Sequence, residues 1–324
     1  MRPPRPVTAH LAHRAFSRQE AIDAGITPRM LQHPRFVEEY PSVYRLEGVV
    51  LDPHGRVDAA RRALPSDARL SHGTRIRMLG VERGDLLPVH FTVARDLHLD
   101  IPGIALHRTV VMPPHDDRGV SIEAAFVGYA ASARLIDRVA IGDWLLHHGH
   151  TTREALLTFV HEQRWRPGAA EVASVVPLLD GRSRSLPESE TRVCLEVAGL
   201  PRPGVNVDIR DESGRFLGCG DLVYLLWKLL IEYEGGQHFT DARQIAGDVD
   251  RYSGFRRDGW EYVQVTKRHL SQPKDVVRRV HRELVGRGYD GPAPVFGPRW
   301  DALFARPRVR SRRRKVDAQP HSVE

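Results

Sequence analysis

The feature that most constrains the fold is a short apolar run that ends in two carboxylates. Residues 229–231 are Leu-Leu-Ile, and they are followed by Glu232, Tyr233, Glu234 and two glycines. So short a run of large aliphatic residues is typical of a central β-strand. Side chains two apart project from the same face of a strand, so Glu232 and Glu234 are predicted to face the same way.

Paired carboxylates at the end of a buried strand predict a bound cation. The two charges repel each other unless a cation compensates them or one carboxyl holds a proton. Asp221 is predicted to end the preceding strand, after small residues that leave room for a ligand or another backbone. Three hard oxygen donors favour Mg²⁺, or Mn²⁺ in its place, with Asp221 and Glu232 as direct ligands.

Glu190 is a fourth candidate carboxylate, on the helix predicted to precede these strands. Ser185 is its predicted N-cap, with Glu188 at capping-box distance. Glu190 stands three and four residues before Val193 and Cys194, and therefore on their apolar face. A carboxylate on a buried face is costly unless it is paired or bound to a cation. Glu190 is thus a metal-site candidate, with an arginine-paired carboxylate at the core rim as the alternative.

Two further candidates follow the central strand. His238 comes shortly after the glycine pair, close enough to act as a general base or hydrogen-bond donor. A helix is predicted over about 240–257, where Asp248 and Arg251 are three apart and face the same way. Arg251 is placed there to hold a phosphate or to orient a carboxylate.

The N-terminal residues predict two short helices followed by a hairpin. Ser17 and Glu20 have capping-box spacing, and Thr27 precedes a proline that can begin the second helix. The stretches 36–37 and 43–46 alternate as short strands do. This order is typical of a winged helix-turn-helix, which would contact DNA. The alternative is a small helical cap that binds nothing.

The middle of the chain carries no clear reaction. Strands are predicted at 89–93 and 104–107, and a helix is predicted to begin at Thr151 with Glu154 at capping-box distance. The pair Ser71–His72 is interpreted as a helix cap with a packed imidazole rather than as a catalytic pair.

Composition predicts a soluble, cytoplasmic protein of several domains with no membrane segment. Of 324 residues, 41% are hydrophobic, and the formal net charge is +7, which fits either contact with nucleic acid or simple solubility. Two cysteines exclude a disulfide scaffold and a cysteine-rich zinc module and favour a reducing compartment. The N-terminus lacks a signal-peptide core, and no apolar run reaches about 18 residues.

Polar breaks predict four segments. Residues 180–187 are rich in turn formers and separate the middle of the chain from the part that carries the carboxylates. Arg306 to Lys315 is a basic run that we predict to be disordered. The predicted segments are 1–50, a winged helix-turn-helix; 51–180, a mixed α/β region; 185–290, the domain with the carboxylates; and 291–324, a basic tail.

Several short motifs of the third segment occur in a recognisable order. They are Pro-Glu-Ser-Glu (187–190), Gly-Leu-Pro (199–201), Gly-Asp (220–221), Ile-Glu-Tyr-Glu-Gly-Gly-Gln-His (231–238), Asp-x-x-Arg (248–251) and Gly-Trp (259–260). The combination resembles the endonuclease-like domain related to very-short-patch repair enzymes, in the PD-(D/E)xK nuclease superfamily. The resemblance covers roughly 185–288. It implies an α/β (α+β) restriction-endonuclease-like fold, with a central mixed sheet flanked by helices.

The same resemblance implies a metal-dependent phosphodiesterase acting on DNA. By position, Asp221 matches the first metal-binding acid, Glu232 the second and Glu190 the helix carboxylate, which would bind the metal through water. Glu234 stands where the general motif has lysine. Lys228 or His238 would substitute for that lysine, or no residue does. Glu234 or His238 would take the proton of the attacking water, and Arg251 would steady the phosphate.

The N-terminal unit resembles the winged helix of AbiEi-type antitoxins. The matching motifs are Ser-Arg-Gln-Glu-Ala (17–21), Ala-Gly-Ile-Thr (24–27) and Val-Tyr-Arg-Leu (43–46). The whole chain is similar to actinobacterial fusions of such a unit with a nuclease-like domain. Two alternatives to an active nuclease stay open. One is a regulator or antitoxin with an inert nuclease-like domain, for which a toxin or neighbouring-gene partner would be expected. The other is a structural protein whose acids pair with arginines.

Overall fold

The computed structural model describes residues 9–234 and 254–307 and shows a mixed α/β protein. Contacts divide the chain into two compact units. The first comprises 1–129 with 142–181, and the second comprises 130–141 with 182–324.

The first unit begins with short helices and a small antiparallel sheet, as the sequence predicts. The sheet has the order β1-β3-β2, so the hairpin of β2 and β3 is extended by the strand that precedes the first helix. The elements are β1 Phe16–Ser17, α1 Arg18–Asp23, α2 Pro28–Leu31, β2 Phe36–Tyr40, β3 Val43–Leu46 and α3 Pro53–Arg62.

The predicted capping box at α1 is confirmed. The Glu20 backbone N–H donates to Ser17 Oγ at 3.1 Å, and the Ser17 N–H donates to a Glu20 carboxylate oxygen at 2.6 Å. Thr27 likewise caps α2, whose first residue is Pro28. Two otherwise unsatisfied N–H groups are thereby bonded at the start of α1, which stabilises so short a helix.

Glu20 also makes the stability of this region depend on pH. Burial by itself would raise the pKa of Glu20, but the Ser17 N–H and the Arg14 and Arg62 guanidinium groups lower it from 4.5 to about 2. The pKa is therefore lower in the folded chain than in the unfolded chain. Ionised Glu20 stabilises the fold above the unfolded value, and this contribution is lost as the pH falls towards 2.

We predict that Glu20→Gln lowers the free energy of unfolding at neutral pH and flattens its pH dependence between 2 and 5. The amide keeps an acceptor oxygen but has no charge for the two arginines. Urea unfolding at a series of pH values measures the effect, with the exposed Glu47→Gln as the control. If the two variants showed the same pH profile, the assignment to Glu20 would be wrong.

Residues 69–175 combine a three-stranded sheet with helices. In the sheet order β4-β5-β6, β4 is antiparallel to β5 and β5 is parallel to β6, and both strands predicted from the sequence are confirmed. The elements are β4 Arg69–Leu70, α4 His72–Arg77, β5 Val89–Val93, β6 Ile104–Arg108, α5 Ile122–Ala130, α6 Leu135–His147, α7 Arg153–Glu162 and α8 Ala169–Val175.

One predicted cap is displaced by a residue. The N-cap of α7 is Thr152, whose hydroxyl accepts from the Ala155 N–H, and not Thr151. The Thr151 hydroxyl instead donates to the Glu123 carboxylate at 2.7 Å. A contact distant in sequence therefore decides which of two adjacent threonines caps the helix.

The N-terminal residues and the middle of the chain share one core. A single cluster of buried side chains contains Tyr40 and Val43 from the first sheet together with Leu70 and Phe91 from the second. Residues on the two sides of the predicted boundary at position 50 therefore pack into the same unit.

The second unit contains a four-stranded mixed sheet and helices. Its sheet order is β10-β9-β8-β7, in which β7, β8 and β9 are antiparallel and β10 runs parallel to β9. The predicted helix over about 240–257 lies largely outside the described residues. The elements are α9 Leu186–Val197, β7 Gly204–Arg210, β8 Phe216–Tyr224, β9 Leu229–Glu234, β10 Glu261–Thr266, α10 Lys267–Leu270, α11 Pro273–Gly286 and α12 Pro298–Phe304.

Two sequence-based boundaries in this unit differ from the structure. β8 does not end at Asp221 but continues to Tyr224, because residues 222–224 pair with β9. The packed structure also extends beyond 290, where the sequence predicts a tail. Trp300 and Leu303 of α12 are buried, so this helix belongs to the folded unit.

No helix among the described residues is long and apolar enough to cross a membrane.

Candidate carboxylate site and a histidine cluster

The structure brings two of the predicted metal ligands to adjacent strands. β8 and β9 are paired with Leu222 opposite Ile231, and the next residues beyond this pair are Asp221 and Glu232. A carboxylate oxygen of Asp221 accepts a hydrogen bond from the Tyr233 N–H at 2.9 Å. Asp221 is thus fixed directly beside the backbone that carries Glu232.

The two acids of β9 have different surroundings. Glu232 is buried, with 6% of its surface exposed, whereas Glu234 is half-buried. Glu234 accepts a hydrogen bond from the Tyr262 hydroxyl of β10 at 3.1 Å. The Glu234 carboxylate is therefore oriented by a side chain of the neighbouring strand.

Glu190 approaches the same strand from α9. Burial, and then the negative charge of Glu190, raise the pKa values of Tyr233 and Cys194. Successive side chains of a strand point to opposite faces, so the Tyr233 ring projects from the face of β9 opposite Glu232. Glu190 is therefore close to Tyr233, and Asp221 is bonded to the Tyr233 backbone.

The small residues before Asp221 have a packing role. A Cβ atom built on Gly220 would lie 2.7 Å from Cγ2 of Val223, with Ile209 and Leu230 side chains also in contact. The room that the sequence predicts for a ligand is filled here by apolar side chains. Gly220 therefore allows the hairpin to pack closely before Asp221.

Three further sequence candidates lie elsewhere or outside the described residues. The Lys228 ammonium donates to the backbone oxygen of Asp258 at 2.8 Å and to its carboxylate at 3.3 Å, at the start of β9 and away from Glu234. This geometry gives no support for Lys228 as the substitute lysine. His238 and Arg251 fall within the segment that the structure does not describe.

A basic groove lies beside β10. It has a volume of about 390 Å³ and is formed by residues of β10, α10 and α11. Its lining contains one carboxylate, that of Asp275, against three arginines and one histidine. These are Arg268, Arg279, Arg282 and His269. Such a groove is suited to an anionic ligand.

Sequence reasoning missed a cluster of three histidines in the first unit. His72, His90 and His107 form the one group among the described residues in which three or more histidine, cysteine or acidic ligand atoms all lie within 4.8 Å of one another. The sequence placed His90 and His107 in strands but did not indicate that these strands are parallel neighbours. His72 was interpreted only as part of a helix cap.

Comparison with known proteins yields two distant relatives. Both are uncharacterised proteins of Mycobacterium tuberculosis, from strains CDC 1551 / Oshkosh and ATCC 25618 / H37Rv. Each is 25% identical over 200 residues, which cover 58% of this chain and 73% of the relative. No protein-family model matches the chain, and no solved structure gives a significant match.

Proposed function

We propose that this protein is a metal-dependent endonuclease that hydrolyses phosphodiester bonds of DNA. The observation that carries the proposal is the placement of Asp221 and Glu232 at neighbouring positions of the paired strands β8 and β9. Carboxylates in this arrangement are suited to a divalent cation, which can activate water and stabilise charge on a phosphate.

The order of elements in the second unit supports the same function. A helix is followed by three antiparallel strands and then by a strand parallel to the third. This is the α/β order expected of the restriction-endonuclease-like fold of very-short-patch repair relatives. The proposal includes that fold for residues 185–290 and a winged helix-turn-helix for residues 1–50.

The donor set fits Mg²⁺ or Mn²⁺ better than a softer ion. All three candidates are carboxylates, and Mg²⁺ is typically bound by one or two carboxylates together with several waters. A closed cage of protein ligands is therefore not required. Asp221 and Glu232 would bind the ion directly, and Glu190 would reach it through water.

Side chains that the fold orients would position the carboxylates and accept the proton of the attacking water. When bound, the metal ion supplies a nucleophilic water and offsets developing charge at the phosphate. The Tyr233 N–H holds Asp221 in place, and the Tyr262 hydroxyl holds Glu234. Glu234 is the described residue proposed to take a proton from the water. His238 remains the alternative base.

DNA as the substrate is supported by charge. The basic groove beside β10 presents three arginines in the same unit as the carboxylates, and contacts to phosphates provide most sequence-independent affinity for DNA. The short helices and three-stranded sheet at the N-terminus would supply a second DNA-binding surface. Arg251 would contact the phosphate that is cleaved.

We predict that the full-length protein nicks supercoiled plasmid in Mg²⁺ or Mn²⁺ and that EDTA abolishes the reaction. The measurement is conversion to the open-circular form, with binding to the same DNA followed in parallel. Binding without nicking in either ion would favour the regulator or antitoxin with an inert nuclease-like domain. Neither binding nor nicking would instead favour the structural protein.

A further inference from the structure

We propose that His72, His90 and His107 form a second metal site, which binds a late first-row divalent ion such as Zn²⁺. The site lies in the first unit and shares no residue with the carboxylates proposed for DNA cleavage. The strand register, the ring geometry and the surroundings of the three imidazoles support this site.

Strand pairing brings two of the histidines to one face of a sheet. β5 and β6 are parallel, with His90 opposite Ala105 and Thr92 opposite His107. Side chains two apart on a strand share a face, so His90 and His107 project from the same side of this pair. His72, the first residue of α4, follows β4, which pairs with the other side of β5.

The rings are close enough to share one ion. Nδ1 of His90 lies 2.8 Å from Nε2 of His107, and the ring centroids of His72 and His107 are 3.7 Å apart. Zn–N bonds of about 2.0–2.1 Å in tetrahedral geometry place two nitrogens about 3.4 Å apart. Small ring rotations would therefore exchange the His90–His107 hydrogen bond for two bonds to the metal.

All three histidines are half-buried. A neutral imidazole has a lone pair on one ring nitrogen that can bind an ion.

Neighbouring groups orient His72 and leave space for its ring. Ser71 Oγ lies 2.9 Å from Nδ1 of His72, so Nε2 is the nitrogen left to bind an ion. A Cβ atom built on Gly128 of α5 would lie 2.8 Å from that same Nε2. Hydrogen bonds from outer groups to ligating histidines are a general feature of metal sites, since they fix the ring orientation and the tautomer.

The ligand set determines the class of ion. Three imidazoles suit Zn²⁺, Cu²⁺, Ni²⁺ or Co²⁺, whereas Mg²⁺ prefers oxygen donors. Three protein ligands also leave a fourth tetrahedral position for water, as in sites where zinc acts on a substrate. The histidine cluster and the carboxylates should therefore select different metals.

The test is metal binding by the full-length protein, purified without a histidine tag and stripped with a chelator. We expect one Zn²⁺ per chain in this cluster by calorimetry, and tetrahedral d–d absorption with Co²⁺. His72→Asn and His107→Ala should each weaken binding by more than about a hundredfold, since loss of an outer hydrogen bond alone costs about 10–100-fold. Asparagine suits position 72, where the backbone φ is 52°.

The control variant is His161→Ala, which removes an exposed histidine of α7 in the same unit. It should bind Zn²⁺ and Co²⁺ as the wild type does. Circular dichroism establishes that the variants are folded, and Asp221→Asn should leave Zn²⁺ binding unchanged. The proposal would be overturned if wild type gave no tetrahedral Co²⁺ spectrum, or if His72→Asn and His107→Ala bound Zn²⁺ as tightly as His161→Ala.

Discussion

Asp221→Asn is expected to lower the rate of Mg²⁺-dependent nicking by at least about a thousandfold, equivalent to about 4 kcal/mol of transition-state stabilisation. A metal ion stabilises the charge that develops on a phosphate in the transition state by several kcal/mol. An amide binds such an ion weakly because it has no charge. The asparagine side-chain oxygen can still accept the hydrogen bond from the Tyr233 N–H. The local structure should therefore survive while the metal is lost.

Glu232→Gln should show a loss of similar size. Glu232 is the buried carboxylate on the neighbouring strand, and the substitution preserves its volume. The matched control is Glu212→Gln, which removes an exposed carboxylate from the turn between β7 and β8. Initial rates of plasmid nicking across a Mg²⁺ series distinguish weakened metal binding from a slower chemical step.

The nicking rates of these variants show whether cleavage takes place at the carboxylates and which residue acts as the base. If wild type nicks DNA and both Asp221→Asn and Glu232→Gln retain its rate, cleavage does not occur at this site. If Glu234→Gln alone retains activity, His238 is favoured as the base. Because the histidine cluster is tested by Zn²⁺ and Co²⁺ binding, its result does not depend on any of these rates.

Local signals in the sequence predicted several elements correctly. Ser17, Thr27 and Ser185 each cap the helix that the sequence assigned to them. A cap is formed by residues within one turn, so its signal is contained in a few adjacent positions. The central strand 229–234 was similarly predictable, because a buried strand consists of consecutive apolar residues.

Features that depend on distant contacts were not predictable in this way. The local sequence favours Thr151 as the cap, because Glu154 stands at capping-box distance, but Thr151 bonds to Glu123 and Thr152 caps the helix. Pairing with β9 extends β8 past Asp221, and burial of Trp300 extends the fold past 290. In each case a partner far along the chain provides the stabilisation.

The same reason explains why the carboxylate site could be predicted from the sequence and the histidine cluster could not. Glu232 and Glu234 are two residues apart in sequence, so their shared strand could be recognised from the residues alone. His72, His90 and His107 are separated by 18 and 17 positions and meet only through the β4-β5-β6 pairing. A single histidine in a strand gives no indication of which strand lies beside it, so the cluster emerges only from the fold.

Arg192→Ala is expected to reduce the stability of the second unit by about 3–5 kcal/mol. The Arg192 side chain is fully buried in α9, and its Nη1 donates to the Glu196 carboxylate at 2.6 Å. Glu196 is itself only 13% exposed, and Arg202 lies further away at 3.5 Å. Alanine would leave a largely buried carboxylate with a weaker partner and a cavity where the arginine side chain lay.

The matched control for Arg192→Ala is Arg215→Ala. Arg215 also pairs with an acid four residues away, Asp211, but its side chain is 72% exposed. Exposed pairs contribute only about 0–1 kcal/mol, so this variant should resemble the wild type. Urea unfolding followed by tryptophan fluorescence measures both variants.

Replacing both Arg192 and Glu196 by apolar residues should restore much of the loss, because no buried charge is then left without its partner. Equal losses in the two single variants would contradict the role assigned to burial.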